Sequence, residues 1–147
     1  MFKNVLIPTD GSALSRKAIS AGVALAQELG ASVTAYHGLE VFQPYVFGDG
    51  TVIDTATMSA FDERAREQAQ KYIDEVEKAC KKAGVPFDSI MTKPATPYEG
   101  IIAAARKKKC DCIFIASHGR GELASLILGS VTQKVLAHSK IPVLVYR

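Results

Sequence analysis

The chain has 147 residues, of which 48% are hydrophobic and 22% charged, with 18 basic against 15 acidic side chains and a formal charge of +3. This length suits one domain, 1–147, able to bury about two thirds of the surface its unfolded chain exposes, and the composition excludes a disordered or membrane-embedded chain. So small a positive excess argues against a nucleic-acid partner. No apolar run approaches a membrane span, and "MFKNVLIPTDGS" at the N-terminus lacks the long apolar core of a signal peptide. A cytoplasmic protein with no membrane partner is expected. The three cysteines, Cys80, Cys110 and Cys112, then read as reduced thiols rather than a disulfide framework.

Strand-like and helix-like patterns alternate along the chain. "NVLIP" (4–8) is a short apolar run stopped by Pro8 and reads as β1. "TDGS" (9–12) supplies turn residues, with Ser12 placed to cap a helix, α1. Leu14, Ala18, Val23, Leu25, Ala26 and Leu29 recur at helical spacing in α1, and Gly30 stands where a left-handed cap belongs. "ASVTAYHGL" (31–39), rich in β-branched and aromatic residues, reads as β2. Residues 39–58 show no clear period and read either as a surface insertion or as a lid over a ligand. Residues 59–83 form a charged amphipathic helix, α2, with Ala65, Ala69, Ile73, Val76, Ala79 and Ala83 on one side and Gly84 after it. "FDSIMT" (87–92) is a weaker strand, β3, and Thr96, Pro97 and Glu99 make a capping-box start for α3, which runs on through "EGIIAAARKKK" (99–109). "CDCIFIA" (110–116) is β4, "GSVTQKVLAH" (129–138) contains α4, and "IPVLVYR" (141–147) is β5.

Strands alternating with long helices predict an α/β fold, an open parallel sheet with helices on both faces. Such sheets bind ligands outside the carboxyl ends of their strands, where the strand order reverses. The β1 loop "PTDGS" offers a carboxylate and two hydroxyls, while the β4 loop "SHGRG" offers two glycines and a histidine. If both loops serve one site, β1 and β4 are neighbours and the strand order is 3-2-1-4-5. Pro142 near the start of β5 agrees, since that order makes β5 an edge strand, where proline is tolerated.

Phosphate-binding patterns narrow the chemistry. No Walker A sequence is present, and "GRGELA" matches the dinucleotide fingerprint only formally, because Lys140, Ile141 and Pro142 stand where its acidic residue belongs. What remains is Gly119, nine residues, then Gly129-Ser130 at a helix start. Glycines let backbone amides approach an anion, a helix N-terminus adds its dipole, and Ser130 and Thr132 add hydroxyl donors.

Together "PTDGS", the spacing from residue 116 through Gly119 to Gly129-Ser130, and the terminal "IPVLVYR" resemble the universal stress protein family over essentially the whole chain. The resemblance implies a five-stranded parallel sheet of the adenine nucleotide alpha hydrolase-like kind and binding of ATP or AMP in a stress-response regulatory protein with little or no catalysis. It implies that Pro8, Thr9 and Asp10 border the adenosine and phosphate region, that Gly38 lies beside the adenine, and that Gly119, Gly129, Ser130, Val131 and Thr132 hold ribose and phosphates. Ala116 departs from the pattern, standing where the family motif, Gly-x2-Gly-x9-Gly-Ser/Thr, begins with glycine. Its methyl is tolerable on an extended backbone but not at positive φ. The alternative is a dimeric interaction module of the same fold without nucleotide. An adenylate-forming enzyme fits poorly, because "PTDGSALS" lacks the paired glycines of that loop, and any ATP hydrolysis is expected to be slow.

Other residues carry two readings each. Asp10 is either a turn former capping α1 or a ligand for ribose or a phosphate-bound Mg²⁺. His118 touches phosphate or bonds to backbone. Cys110 and Cys112, two apart on a strand, face one side as core residues and lack partners for a metal site. His37 and His138 read as local hydrogen-bonding residues, and the run 106–109 as a solvated helix end. Finally, β5 presents Val143, Leu144, Val145 and Tyr146 on an edge, which invites pairing with a second copy. A homodimer through 141–146 is expected, and the family resemblance implies the same.

Overall fold

The computed structural model describes residues 1–41, 54–120 and 128–147. Its elements are β1 (Asn4–Pro8), α1 (Ala13–Leu29), β2 (Ser32–Gly38), α2 (Thr55–Ala83), β3 (Phe87–Thr92), α3 (Pro97–Lys107), β4 (Cys112–Ala116), α4 (Ser130–His138) and β5 (Val143–Tyr146). The five strands make one parallel sheet in the order β3-β2-β1-β4-β5, as expected from the sequence.

Side-chain alternation divides the core into two layers. Val5 and Ile7 of β1, with Cys112, Phe114 and Ala116 of β4, pack beneath α1 and α2. Leu6, Ile113 and Ile115 point the other way, onto Ile101 and Ala104 of α3 and Val135 of α4. The three central strands are covered on both faces and therefore read as continuous apolar runs. No described helix is long and apolar enough to cross a membrane.

Several boundaries differ from the sequence reading. Helix α2 begins at Thr55, where Asp54 caps it by accepting the Thr57 amide at 2.7 Å. Its first turn therefore lies inside the stretch read as a long connection, because residues 55–60 carry no buried apolar stripe to announce a helix. The lid reading of 39–58 falls mainly on residues 42–53, outside the described residues. The expected capping box of α3 is incomplete: the Thr96 hydroxyl donates to Glu99 Oε2 at 2.7 Å, and no side chain caps the helix amides.

The pairing of Cys110 with Cys112 on one side is also corrected. Lys109 adopts φ +54° as α3 ends, and the strand starts only at Cys112, so the two-residue alternation does not reach back to Cys110. Cys112 lies in the layer under α1 and α2, Cys110 in the layer under α3 and α4. Burial pushes the Cys80 and Cys112 thiols up to about 11 and raises that of Cys110, so all three behave as apolar core residues. Within the run 106–109, Lys108 is tied to Asp88 of β3 at 2.7 Å.

At the amino ends of the strands Asp111 straps β1 to β4. Its Oδ1 accepts the amides of Lys3 and Asn4 at 3.0 Å each, and its Oδ2 accepts Lys3 again at 2.8 Å. At the opposite, carboxyl ends, the loops after β1 and β4 are left to build something else.

Candidate functional site

The β1 ladder continues one residue past the strand, with the Thr9 amide donating to the Tyr36 carbonyl at 2.9 Å. The chain then turns through Gly11 at φ +74°, and a Cβ there would collide with the Tyr72 ring of α2. Glycine is required on both counts. Ser12 caps α1 by accepting the Ser15 amide at 3.1 Å, so Asp10 is not the cap. Instead Asp10 Oδ1 accepts the Ser12 amide at 2.9 Å and its Oδ2 accepts the Arg120 amide at 3.0 Å. The carboxylate is thus a turn former, as one reading had it, though it does not cap α1, and it is also a strap between the β1 and β4 loops, which neither reading included. Each oxygen retains acceptor capacity, since an ionised carboxylate offers about four lone-pair sites.

On the β4 side Ala116 ends the strand with a non-positive φ, and its methyl packs in the core layer beneath α1 and α2. The next two contacts close the base of the loop: the Ser117 amide donates to the Tyr146 carbonyl, and the Gly129 amide to the Ser117 carbonyl, each at 2.7 Å. Gly129 is the N-cap of α4 and brings no side-chain cap, so the Val131 and Thr132 amides open the helix without intrahelical partners. Thr132 is 3% exposed, and its hydroxyl donates to the Ala116 carbonyl at 2.9 Å. Its hydroxyl is therefore structural rather than a phosphate donor, and only its amide faces the helix entrance. His118 Nδ1 lies 3.1 Å from the Ser117 hydroxyl, a side-chain partner.

The end of β2 forms the third wall. His37 Nδ1 bonds the Thr9 carbonyl at 2.7 Å, and its ring lies 5.3 Å from that of Tyr72. Gly38 pairs with Thr92, and a Cβ on it would stand 3.0 Å from the Tyr36 hydroxyl and 3.2 Å from Pro94 Cγ. A larger residue at 38 would crowd Tyr36 and Pro94, which would have to give by a few tenths of an ångström.

These walls enclose a cavity of about 1130 Å³. Pro8, Thr9, Asp10, Gly38, Ala116, His118, Gly119, Gly129, Ser130, Val131 and Thr132 all line it, so residues far apart in sequence meet in one place. A further wall escaped the sequence reading. Phe61, Arg64, Gln68 and Tyr72 of α2 line the cavity too, and the Arg120 guanidinium lies 5.0 Å over the Tyr72 ring. The signal was present as an aromatic-to-aromatic stripe at helical spacing, offset from the stripe of Ala69, Ile73 and Val76 that is buried, while Ala65 lines the cavity as well.

Comparison with known proteins identifies the family and the fold. The family model described as "Universal stress protein family" matches residues 1–147. A universal stress protein of Thermus aquaticus is 33% identical over 147 residues, covering 100% of both chains. The solved structure of MJ0577, a Methanocaldococcus jannaschii universal stress protein, superposes with a TM-score of 0.83 at 26% identity, over 99% of this chain and 95% of that one. An Archaeoglobus fulgidus universal stress protein, solved in complex with dAMP, has the same fold, with a TM-score of 0.69 at 15% identity over 100% of this chain and 98% of that one. Matched along its whole length by the family model and by a full-length relative, the chain belongs to the universal stress protein family.

Proposed function

We propose that this protein binds an adenine nucleotide, ATP or AMP, in the cavity at the carboxyl ends of β1 and β4. In this reading it serves as a cytoplasmic stress-response regulator by binding rather than by catalysis. The observation that carries the reading is the convergence of the Asp10 turn and the uncapped entrance of α4 on one cavity. The dAMP complex of the A. fulgidus relative supports the ligand class. Pro8, Thr9 and Gly38 would border the base and ribose, while the amides of Gly119, Val131 and Thr132 would meet phosphate, as a helix N-terminus favours.

Asp10 fits a phosphate-bound Mg²⁺ through the acceptor capacity its two amide bonds leave. The described residues hold no cluster of three metal-ligating side chains, so the nucleotide phosphates and water would supply the remaining ligands. A bound Mg²⁺ would neutralise phosphate charge there.

The same proposal includes a homodimer through β5, which ends the sheet and is apolar on both faces. Titration calorimetry with millimolar ATP or AMP and Mg²⁺ tests the nucleotide site. Saturable heat is expected from the wild type, and Gly129→Val should abolish it by placing bulk where backbone meets phosphate. A wild type silent to both nucleotides sinks the reading and leaves a dimeric interaction module of the same fold.

A further inference from the structure

We propose that Arg64 of α2 and Arg120 of the β4 loop read the length of the phosphate chain, so that the site prefers a nucleoside triphosphate to a monophosphate. This rests on the nucleotide reading above. It adds a wall that the phosphate-loop pattern does not contain.

The argument begins with charge. Asp10 accepts the Arg120 amide at 3.0 Å, which puts a carboxylate beside the β4 loop where phosphate is expected to sit. Each phosphate added to the chain brings more negative charge into the site, of which one Mg²⁺ at Asp10 offsets only part, so a longer chain calls for further cations nearby. Two arginines, Arg64 and Arg120, line the same cavity. Among the described residues neither makes an ion pair, whereas Arg16 on the outer surface is held by Glu75 at 3.0 Å. Among the described residues Arg64 has no ion-pair partner, although Glu67 stands three residues further along the same helix.

Placement supports the same role. Arg64, Gln68 and Tyr72 recur every four residues, so they share one face of α2, and all three line the cavity. Arg64 lies about 12 Å along the helix axis from Tyr72, on which Arg120 is parked at 5.0 Å. Two long, exposed arginine side chains separated in this way can close on the outer end of an extended phosphate chain, while a single phosphate at the α4 entrance would leave Arg64 out of reach. The Tyr72 face holds the Arg120 guanidinium by a cation–π attraction that is weaker at an exposed site than a charged hydrogen bond to phosphate, so the cation is stored near the site rather than locked away from it. Arginine suits the role because its planar fork grips two phosphate oxygens at once.

The test is a pair of calorimetric titrations, with AMP and with ATP, each with Mg²⁺ in excess, on wild type, Arg64→Ala and Arg120→Ala. Neither substitution removes a backbone group, so the Arg120 amide stays on Asp10, and matched thermal unfolding curves confirm folding. The wild type is expected to bind ATP at least about tenfold tighter than AMP. Each variant is expected to lose about tenfold or more in ATP affinity, the fold-change of one charged hydrogen bond, with AMP affinity held within about twofold. Equal affinity of the wild type for the two nucleotides overturns the inference, as does a variant that weakens both ligands alike or neither. Those outcomes leave the nucleotide reading standing, whereas a wild type that binds neither nucleotide overturns both.

Discussion

Ala116 shows how one methyl group can be tolerated in a loop where the family pattern has glycine. Its position at the end of β4 fixes an extended backbone, and alternation along the strand places the residue in the core layer with Phe114, although it also lines the cavity. Ala116→Gly is therefore expected to change nucleotide affinity by less than about twofold while lowering stability by about 0.5 to 1 kcal/mol, the entropic cost of glycine in a strand. Calorimetric titration and thermal unfolding of the same variant check both halves. The substitution itself was legible in the sequence, but the direction of the methyl was not, because it depends on where the strand begins. The same limit applied to Thr132. Its hydroxyl looks like a phosphate donor in "GSVT", and only the folded chain reveals the Ala116 carbonyl 2.9 Å away.

Between elements, the straps decide what is held and what responds to pH. Gly11 lets the β1 loop pass under Tyr72 of α2, so Gly11→Ala is expected to cost at least about 1 to 2 kcal/mol from the left-handed backbone alone, before the collision with the ring. Chemical denaturation would measure it, and a loss below about 0.5 kcal/mol would mean that the loop moves away freely. Asp111 joins β1 to β4 at the other end of the sheet. Partial burial opposes its charge, yet the amides of Asn4 and Lys3 outweigh that and hold the carboxyl below its ordinary value of 3.8. A depressed carboxyl contributes stability that is complete above 3.8 and disappears as pH falls through the lowered folded value. Asp111→Asn is thus expected to lower stability at pH 7 and to flatten the loss of stability below about pH 4, as read from unfolding midpoints across that range. Every strand and helix was legible as an element, because periodicity of two and of 3.6 is local. The first turn of α2 and its cavity-facing stripe were not, since polar residues that line a hollow carry the same pattern as residues that face solvent.

Taken as one body, the sheet had its strand order inferred from a functional demand, that the β1 and β4 loops meet, together with Pro142, and the order found is the same. The proposed dimer depends on the last strand. Val143 and Val145 lean on the layer beneath α3 and α4, so lysine there would damage the core as well as an interface. Leu144, on the opposite face and 38% exposed, is the cleaner probe. Light scattering at tens of micromolar is expected to report a dimer for the wild type and a folded monomer for Leu144→Lys. A wild type that scatters as a monomer would remove the dimer from the proposal. The strand order also dictates how the protein can emerge from a ribosome. β1, β2 and β3 can pair as they appear, but the other side of β1 waits for β4, whose strap reaches back 108 positions from Asp111 to Lys3. At about 5 to 20 residues per second, the apolar edge of β1 stays unpaired for several seconds of synthesis. Gly129 and the start of α4 arrive later still, so the nascent chain cannot recruit a nucleotide to help it fold; α1, α2 and α3 emerge before β4 and can cover Val5 and Leu6, while the backbone edge of β1 stays open until β4 arrives.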